Sequence, residues 1–323
     1  MLVQSKWQQL PTEAINPASL AIDKLSPSAI IDLMVDEDRK VIAAVSKERQ
    51  RIAVGVEIIG RALKKGGRLV FVGAGTSGRL GLLEAAEIPP TFGTAPSMVR
   101  AVMAGGNRAL TLPREGVEDN YEEGSRSIAR LRPTSKDVVV GVSASGMTPF
   151  VRGALNRARH AGAKLIFVTC FAHTELQTSV DLIIALSVGP EVIAGSTRLK
   201  AGTATKMVLN MLTTAAMVRM GKTYGSLMVD VQTSSEKLKD RARRILVIVS
   251  DIDYVAAGKL LKRAHGNVKA AIVMQKTGLD YRRALTKLRR ADDVVRVAIG
   301  EDIEPRLHEL VDPPDRHKPT PHA

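Results

Sequence analysis

Five short apolar runs alternate with segments of helical periodicity in the middle of the chain. The runs are rich in Val, Ile and Leu and end at Gly or polar residues, a pattern typical of buried strands. They lie at 69–72, 97–103, 137–142, 164–169 and 181–186. Because a helical spacer separates each strand from the next, we predict an α/β domain whose parallel sheet is covered by helices on both faces.

Helical periodicity extends towards both ends of the chain. Residues 11–66 carry apolar residues at spacings of three and four, after a polar lead-in at 12–17 that we interpret as a loop reaching a neighbouring site. A long helix is predicted at 204–220. The segment from Glu301 onward is rich in Pro, His and charged residues, and we expect it to be disordered. Four short basic helices are predicted before it, at 242–249, 254–264, 268–274 and 281–288.

Composition limits the classes of function. The net charge of +14 raises the question of nucleic acid, but aromatic residues make up only 3% of the 323 residues, and much of the basic excess lies after residue 240. We therefore expect solvated helix faces there and no nucleic-acid partner.

No apolar run reaches the ~20 residues that span a bilayer, so no membrane association is expected. The single cysteine, Cys170, fits a reducing compartment, and we expect a cytoplasmic protein.

A glycine-rich loop follows the first strand. Gly73-x-Gly-x-x-Gly78 matches the fingerprint of dinucleotide-binding proteins, which also need an acidic residue near the end of the second strand to hold a ribose. The second strand ends without one, at residues 102–106. The loop instead offers Thr76 and Ser77 at the start of a helix, where backbone N–H groups attract anions. We interpret this loop as a site for a phosphate or a sugar.

A second polar loop follows the third strand. Ser143, Ser145 and Thr148 precede another helix, and a helix cap alone would explain one such loop. Loops after parallel strands open on the same edge of the sheet, however, so the two loops are expected to lie close together. Hydroxyl and N–H groups together can saturate the three oxygens of a phosphate monoester. The pair of loops therefore favours phosphate binding.

Carboxylates near these loops are candidates for acid–base chemistry. Glu84 and Glu87 lie on one face of the helix that follows the first loop, which we expect Pro89 and Pro90 to end. The negative end of a helix disfavours ionisation of Glu87, whereas the acidic stretch 115–119 lies near the start of a helical run, where a carboxylate stays charged. Two carboxyls whose tendencies to ionise are changed in opposite directions can act as a general acid and a general base. The alternative is that both are solvated surface charges.

Other polar residues carry weaker signals. Arg198, Lys200 and Lys206 lie around the start of the long helix, where they either balance an anionic substrate or face solvent. The histidines lack the spacing of metal ligands, and the serines of the two loops have no nearby histidine in the sequence. We predict no metal, no cofactor and no nucleophilic serine.

Four segments of the chain resemble the N-acetylmuramic acid 6-phosphate etherases, which belong with the glucokinase regulatory proteins among the sugar isomerase (SIS) domain proteins. The segments are 12–17, 73–80 with 87–93, 141–149 and 189–206. The resemblance implies an SIS-type three-layer αβα sandwich with a five-stranded parallel sheet, and a small C-terminal helical module similar to a ubiquitin-associated domain. The predicted parts are an N-terminal helical segment (1–45), the SIS sugar-phosphate-binding domain (46–235), the helical module (236–300) and a disordered tail (301–323).

The resemblance also implies a reaction. Members of the family cleave the D-lactyl ether of N-acetylmuramic acid 6-phosphate by elimination and water addition, without metal or nucleotide, in the recycling of cell-wall sugars. The acid of the family falls on Glu87, and the base, which acts at C2, falls on Glu118. The predicted substrate and phosphate ligands are Thr76, Ser77, Gly78, Ser143, Ser145, Thr148, Lys200 and Lys206.

Three interpretations of the function remain open at this point. The first is a cytoplasmic etherase, expected to be a homodimer whose sites are completed by the 11–17 loop of the neighbouring copy. The second is a non-catalytic sugar-phosphate sensor like the glucokinase regulatory proteins, which would need neither Glu87 nor Glu118. The third is an aldose–ketose isomerase, which needs a carboxylate base but opens the sugar ring. Retention of both glutamates favours elimination.

Overall fold

The computed structural model describes residues 10–171, 175–233 and 235–311. The chain forms two compact units. The first contains the residues up to Ile88 and Ala95–Ala216, and the second contains Pro89–Thr94 and the residues from Met217 onward. Within the described ranges, no helix has both the length and the apolar character needed to cross a bilayer. The domain boundaries proposed from the sequence remain predictions.

A five-stranded parallel sheet forms the centre of the first unit. Its strands pair in the order β2-β1-β3-β4-β5. All residues of β1 and β3 are buried, as expected of strands covered on both faces. The predicted parallel sheet is confirmed, and the strands are β1 (Leu69–Gly73), β2 (Val99–Met103), β3 (Val138–Ser143), β4 (Lys164–Thr169) and β5 (Leu182–Ala185).

Helices cover both faces of this sheet. On one face, Val139 of the sheet shares a hydrophobic core with Ile128 and Phe150. On the other, Gly81 packs against Phe71, and Gly55 packs against Ile166. The αβα sandwich is therefore confirmed. Its helices are α1 (Pro27–Lys47), α2 (Arg49–Lys64), α3 (Gly75–Phe92), α4 (Tyr121–Arg130), α5 (Pro149–His160) and α6 (Lys200–Arg219).

The expectation that Pro89 and Pro90 end the third helix is wrong, because α3 continues to Phe92. Each proline removes an N–H donor and crowds the carbonyl four residues earlier, but its fixed φ angle suits a helix, so two prolines near a helix end do not have to stop it. Beyond them, the backbone N–H of Gly93 donates to the carbonyl of Pro89 at 3.0 Å. The helix ends at Gly93, whose φ of +63° is a left-handed conformation that glycine adopts readily.

A buried ion pair joins α1 to the start of α6. The ammonium of Lys200 contacts Oε2 of Glu37, and both side chains are less than 5% exposed. The same carboxylate accepts hydrogen bonds from Lys40 and, at 2.9 Å, from Nδ2 of Asn16. Burial alone would raise the pKa of Glu37, but the hydrogen bonds from Lys200, Lys40 and Asn16 lower it to about 2. Two distant stretches of sequence are thus joined by one charged cluster.

A second buried carboxylate determines where α6 begins. Glu191 accepts hydrogen bonds from the backbone N–H groups of Lys200 and Ala201, at 3.0 and 2.9 Å. These groups lie in the first turn of the helix, where they have no intrahelical acceptor. Burial raises the pKa of Glu191, and the two backbone hydrogen bonds partly oppose that effect. The first turn of α6 is therefore held both by the side chain of Lys200 and by its backbone N–H groups.

The second unit is helical, with a short hairpin, β6 (Thr223–Tyr224) and β7 (Leu227–Met228). Its core combines residues of all the helices from α7 to α11 with residues of the hairpin region, among them Tyr224 and Val229. The four basic helices predicted from the sequence correspond to α7–α10. The helices are α7 (Glu236–Ser250), α8 (Tyr254–Arg263), α9 (Val268–Thr277), α10 (Tyr281–Arg290), α11 (Val295–Ile299) and α12 (Glu304–Val311).

Two features of this unit bear on the sequence analysis. In α10 only Ala284 and Leu288 are buried, and its arginines are exposed, as predicted for solvated basic faces. Helix α12 lies within the segment from Glu301 that was expected to be disordered, so the first part of that segment has structure. The remainder of the predicted tail, 312–323, lies outside the described residues.

We expect Glu37→Gln to lower the free energy of unfolding at pH 7. A shift of the pKa from 4.5 to about 2 corresponds to on the order of 3 kcal/mol, and the variant also leaves the buried Lys200 without a counter-charge. Because the folded pKa is the lower one, Glu37 contributes this stability above about pH 4.5 and loses it as the pH falls towards 2. Urea unfolding at pH 7 and at about pH 3.5 measures the effect, which should be larger at pH 7.

A matched control for this experiment is Asp36→Asn. Asp36 forms an ion pair with Arg39 on the exposed side of the same helix, and such pairs contribute about 1 kcal/mol at most. A loss of stability in Glu37→Gln that is as small as the loss in the control, or that does not depend on pH, would contradict the assignment.

Candidate functional site

A cavity of about 380 Å³ opens at the carboxyl ends of β1, β2 and β3. This is the edge at which parallel α/β sheets bind ligands. The loops after these strands, the start of α3, part of α6 and a short N-terminal segment form its walls. Polar and charged wall residues are Thr12, Glu13, Thr76, Ser77, Arg79, Arg114, Glu115, Glu118, Ser143, Ser145, Thr148, Thr197 and Thr205.

The glycine-rich loop brings the start of α3 against the end of β1. A Cβ atom on Gly73 would lie 2.7 Å from the backbone nitrogen of Gly78, and a Cβ atom on Gly78 would lie 2.8 Å from the carbonyl oxygen of Gly73. Both positions therefore require glycine. This close approach places Thr76 and Ser77 on the cavity wall, next to the first N–H groups of the helix. Gly78 is not itself a wall residue, and its N–H donates to the carbonyl of Ala74 at 3.2 Å.

The second polar loop contributes three hydroxyl groups to the same cavity. The hydroxyl of Ser143 lies 2.7 Å from that of Thr148 and 3.3 Å from that of Ser145. A turn shapes the loop, because the N–H of Gly146 donates to the carbonyl of Ser143 at 3.1 Å. Ser77 and Thr76 line this cavity together with the three hydroxyls. The sequence prediction that the two loops meet is therefore correct.

The carboxylate of Glu118 also lines the cavity. It belongs to a short 3₁₀ helix, Val117–Asp119, and is half-buried. The guanidinium of Arg79 connects its loop to α3, because it donates to the carbonyl oxygens of Ala109 and Leu110 at 2.8 and 3.1 Å. Arg79 was not identified as a site residue from the sequence, although its position directly after the glycine-rich loop indicated one.

The other predicted catalytic carboxylate lies outside this cavity. Glu87 is exposed on α3 and is not among the wall residues. One turn earlier, Glu84 is buried and accepts hydrogen bonds from Nδ2 of Asn210 and, at 2.7 Å, from the hydroxyl of Thr213. Burial raises the pKa of Glu84, and the hydrogen bond from Thr213 and the charge of Lys206 partly oppose it. A single chain thus does not bring Glu87 and Glu118 into one cavity.

The two predicted lysines have different positions. Lys206 is exposed and lines an adjoining groove of about 290 Å³, together with Thr76 and Arg198. Lys200 does not line the main cavity, because its ammonium is buried against Glu37. The predicted contact of Lys200 with substrate therefore does not fit the structure, in which this side chain is part of the core.

The 12–17 segment was expected to reach the site of a neighbouring copy. In the structure it lies at the cavity of its own chain, where Thr12 and Glu13 are wall residues. The carbonyl of Thr12 accepts a hydrogen bond from the N–H of Gly195 at 2.9 Å. The polar lead-in was recognised in the sequence, but its contact with a residue 183 positions away could not be read from it.

The chemistry of the cavity follows from these groups. Hydroxyls and helix-start N–H groups suit a phosphate, and the half-buried carboxylate of Glu118 can accept a proton near them. The structure, over the residues that it describes, holds no group of three or more His, Cys, Asp or Glu side chains able to bind a metal ion. Acid–base chemistry on a phosphorylated small molecule fits this set of groups.

Comparison with known proteins identifies two family matches. Residues 51–159 match the glucokinase regulatory protein N-terminal SIS domain, and residues 117–215 match the SIS domain. Among solved structures, a phosphoheptose isomerase from Francisella tularensis is similar at 16% sequence identity, covering 60% of this chain and 100% of its own, with a TM-score of 0.48.

Curated relatives are much more similar. The N-acetylmuramic acid 6-phosphate etherase of Rippkaea orientalis is 50% identical over 271 residues, covering 84% of this chain and 89% of the relative. The protein of the same name from Clostridioides difficile is 47% identical over 299 residues, covering 93% of this chain and 98% of the relative. The chain therefore belongs to the N-acetylmuramic acid 6-phosphate etherase family of SIS-domain proteins.

Proposed function

We propose that this protein cleaves the D-lactyl ether at C3 of N-acetylmuramic acid 6-phosphate, giving N-acetylglucosamine 6-phosphate and D-lactate in the recycling of cell-wall sugars. The observation that carries the proposal is the cavity itself, in which two hydroxyl-bearing loops and the carboxylate of Glu118 meet. Membership of the etherase family supports the choice of substrate.

The phosphate binds where the two polar loops meet. Thr76, Ser77 and the first N–H groups of α3 supply donors from one loop, and the hydroxyls of Ser143, Ser145 and Thr148 supply donors from the other. Donors fixed by a helix start and by a tight turn lose little freedom when the anion binds. Gly78 acts indirectly, because its lack of a side chain allows the first loop to approach β1.

The reaction is an elimination followed by an addition. The carboxylate of Glu118 removes the proton at C2, a C2–C3 double bond forms, and the bond between C3 and the lactyl oxygen breaks. Glu87 acts as the acid and gives its proton to the departing lactate oxygen. Water then adds at C3 and a proton returns to C2, so that one water molecule is consumed overall. A general acid and a general base each typically contribute about 100- to 10,000-fold to the rate.

A homodimer accounts for the position of Glu87. Because Glu87 is exposed and outside the cavity of its own chain, its role as acid requires a second copy that brings it to the cavity. Leu83, one turn before Glu87 on α3, is 40% exposed and would be covered by such a copy. We place this activity in the cytoplasm, a compartment that fits the single, buried cysteine Cys170.

The rival interpretation is a non-catalytic sugar-phosphate regulator. Its support is the match of residues 51–159 to the N-terminal SIS domain of the glucokinase regulatory protein. A regulator needs the hydroxyl loops but has no use for carboxylates at C2 and at the leaving oxygen. Activity measurements on the two glutamates therefore separate the two functions.

Wild-type protein is expected to release D-lactate from N-acetylmuramic acid 6-phosphate, and Glu118→Gln and Glu87→Gln are each expected to lower kcat at least about 100-fold. Each variant removes a proton-transfer group and keeps the size of the side chain. An enzymatic assay of D-lactate measures the rates, with Glu122→Gln, an exposed residue of α4, as the control. Saturable binding of the sugar phosphate without lactate release would instead favour the regulator.

Mixing the two inactive variants tests the shared site. If Glu87 acts at the cavity of a partner, dimers that combine a Glu87→Gln chain with a Glu118→Gln chain contain one intact site and one doubly altered site. Random exchange of subunits should then restore about a quarter of the wild-type rate, because half of the dimers are mixed and each has one of two sites active. A mixture that stays inactive after verified subunit exchange would show that both groups act within one chain.

Ser77→Ala is expected to weaken inhibition by inorganic phosphate about ten- to hundredfold, the effect of losing one hydrogen bond to a charged group. The removed hydroxyl is on the cavity wall at the start of α3. Competition against D-lactate release measures the inhibition constant, and Ser97→Ala, at an exposed serine, is the control. Equal inhibition constants in wild type and Ser77→Ala would remove this hydroxyl from the phosphate site.

A further inference from the structure

The N-terminal segment contributes a carboxylate to the cavity. Pro11–Glu13 forms one turn of 3₁₀ helix, and Thr12 and Glu13 lie on the cavity wall. The backbone of Gly195, which has a φ of +76°, lies so near that a Cβ atom there would be 2.9 Å from Oε2 of Glu13. The carboxylate thus occupies a space that a glycine leaves open.

Both side chains of this turn lack a protein partner. Glu13 is exposed, and within the described residues its carboxylate has no hydrogen bond or ion pair, so it is available to a ligand in the cavity. The hydroxyl of Thr12 is buried and also unpaired. Buried polar groups in folded proteins are nearly always hydrogen-bonded, so the unpaired hydroxyl of Thr12 on the cavity wall points to a ligand at this turn.

Hydrogen bonds of Asn16 hold the N-terminal segment in place. Nδ2 of Asn16 donates to Glu37 at 2.9 Å and to the carbonyl of Pro190 at 3.2 Å, while its Oδ1 accepts from the N–H of Ala18 at 3.0 Å. Asn16 is 4% exposed, and Glu37 is in turn bound by Lys200. The buried charge cluster therefore positions Glu13 three residues away, as a ligand-binding group needs.

The sign of the charge identifies the part of the substrate that Glu13 can bind. An ionised carboxylate only accepts hydrogen bonds, and it repels the phosphate and the lactyl carboxylate. Hydroxyl groups and the amide N–H of an N-acetylated amino sugar are donors without a negative charge. Resting on the proposed function, we propose that Glu13 is a substrate-binding residue that accepts a hydrogen bond from a sugar hydroxyl or from the amide N–H, while the hydroxyl loops hold the phosphate.

The test compares two ligands that share a phosphate. Calorimetry measures the affinities of N-acetylglucosamine 6-phosphate and of inorganic phosphate for wild type, Glu13→Ala and Glu13→Gln. Glu13→Ala should weaken binding of the sugar phosphate about tenfold, and Glu13→Gln, which keeps an acceptor oxygen, about threefold. Inorganic phosphate, which under this proposal binds at the hydroxyl loops and makes no hydrogen bond with Glu13, should bind all three proteins equally within about twofold.

Two further variants separate positioning from charge. Asp23→Asn removes a negative charge from an exposed residue of the same N-terminal region, outside the cavity wall, and should leave both affinities unchanged. Asn16→Ala removes the hydrogen bonds behind Glu13 and should weaken sugar-phosphate binding as Glu13→Ala does, without affecting inorganic phosphate.

The outcomes distinguish this inference from the proposed function. Unchanged affinity for the sugar phosphate in Glu13→Ala would overturn the inference, as would a parallel loss for inorganic phosphate, since that would indicate a damaged cavity. A wild type that binds the sugar phosphate through Glu13 but releases no D-lactate would uphold the inference and overturn the etherase function. A wild type that binds no sugar phosphate would overturn both.

Discussion

The ion pair between Glu37 and Lys200 connects the parts of the first unit that surround the cavity. Lys200 is the first residue of α6, and Glu37 lies on α1 and accepts a hydrogen bond from Asn16. The start of α6 and the N-terminal turn therefore depend on one buried cluster of charges. Breaking a buried pair leaves a charge without compensation, which is far more costly than losing an exposed pair. The cavity is thus built on an electrostatic contact in the interior.

The parallel sheet supplies the second condition for the site. Because all five strands run in the same direction, the loops after β1 and β3 open on one edge, although some 70 residues separate Ser77 from Ser143 and Thr148. The loop after β2 brings Glu118 to the same edge, and Arg79 holds that loop against α3. Anion-binding donors and a carboxylate meet there because of topology, while the identity of the side chains determines which chemistry they support.

Much of this arrangement could be predicted from the sequence, and the rest depends on contacts between distant residues. The strands were located to within two residues from their short apolar runs, although Arg100 interrupts the run of β2. The positions of the two hydroxyl loops were predicted from the strands that precede them. Lys200 was taken for a substrate ligand because nothing near it in the sequence reveals Glu37, 163 positions away. Glu13 was missed for the same reason, since only the folded chain brings it to Gly195. The exposed position of Glu87 is equally a property of the fold.

The two consecutive prolines within α3 have a consequence for the surface around Glu87. A proline has no N–H to donate, so the carbonyl oxygens of Ala85 and Ala86 lose the donors that a regular helix would supply four residues later. These two carbonyl oxygens come directly before Glu87 in the chain, so a donor from outside the regular helix pattern is needed to satisfy either of them.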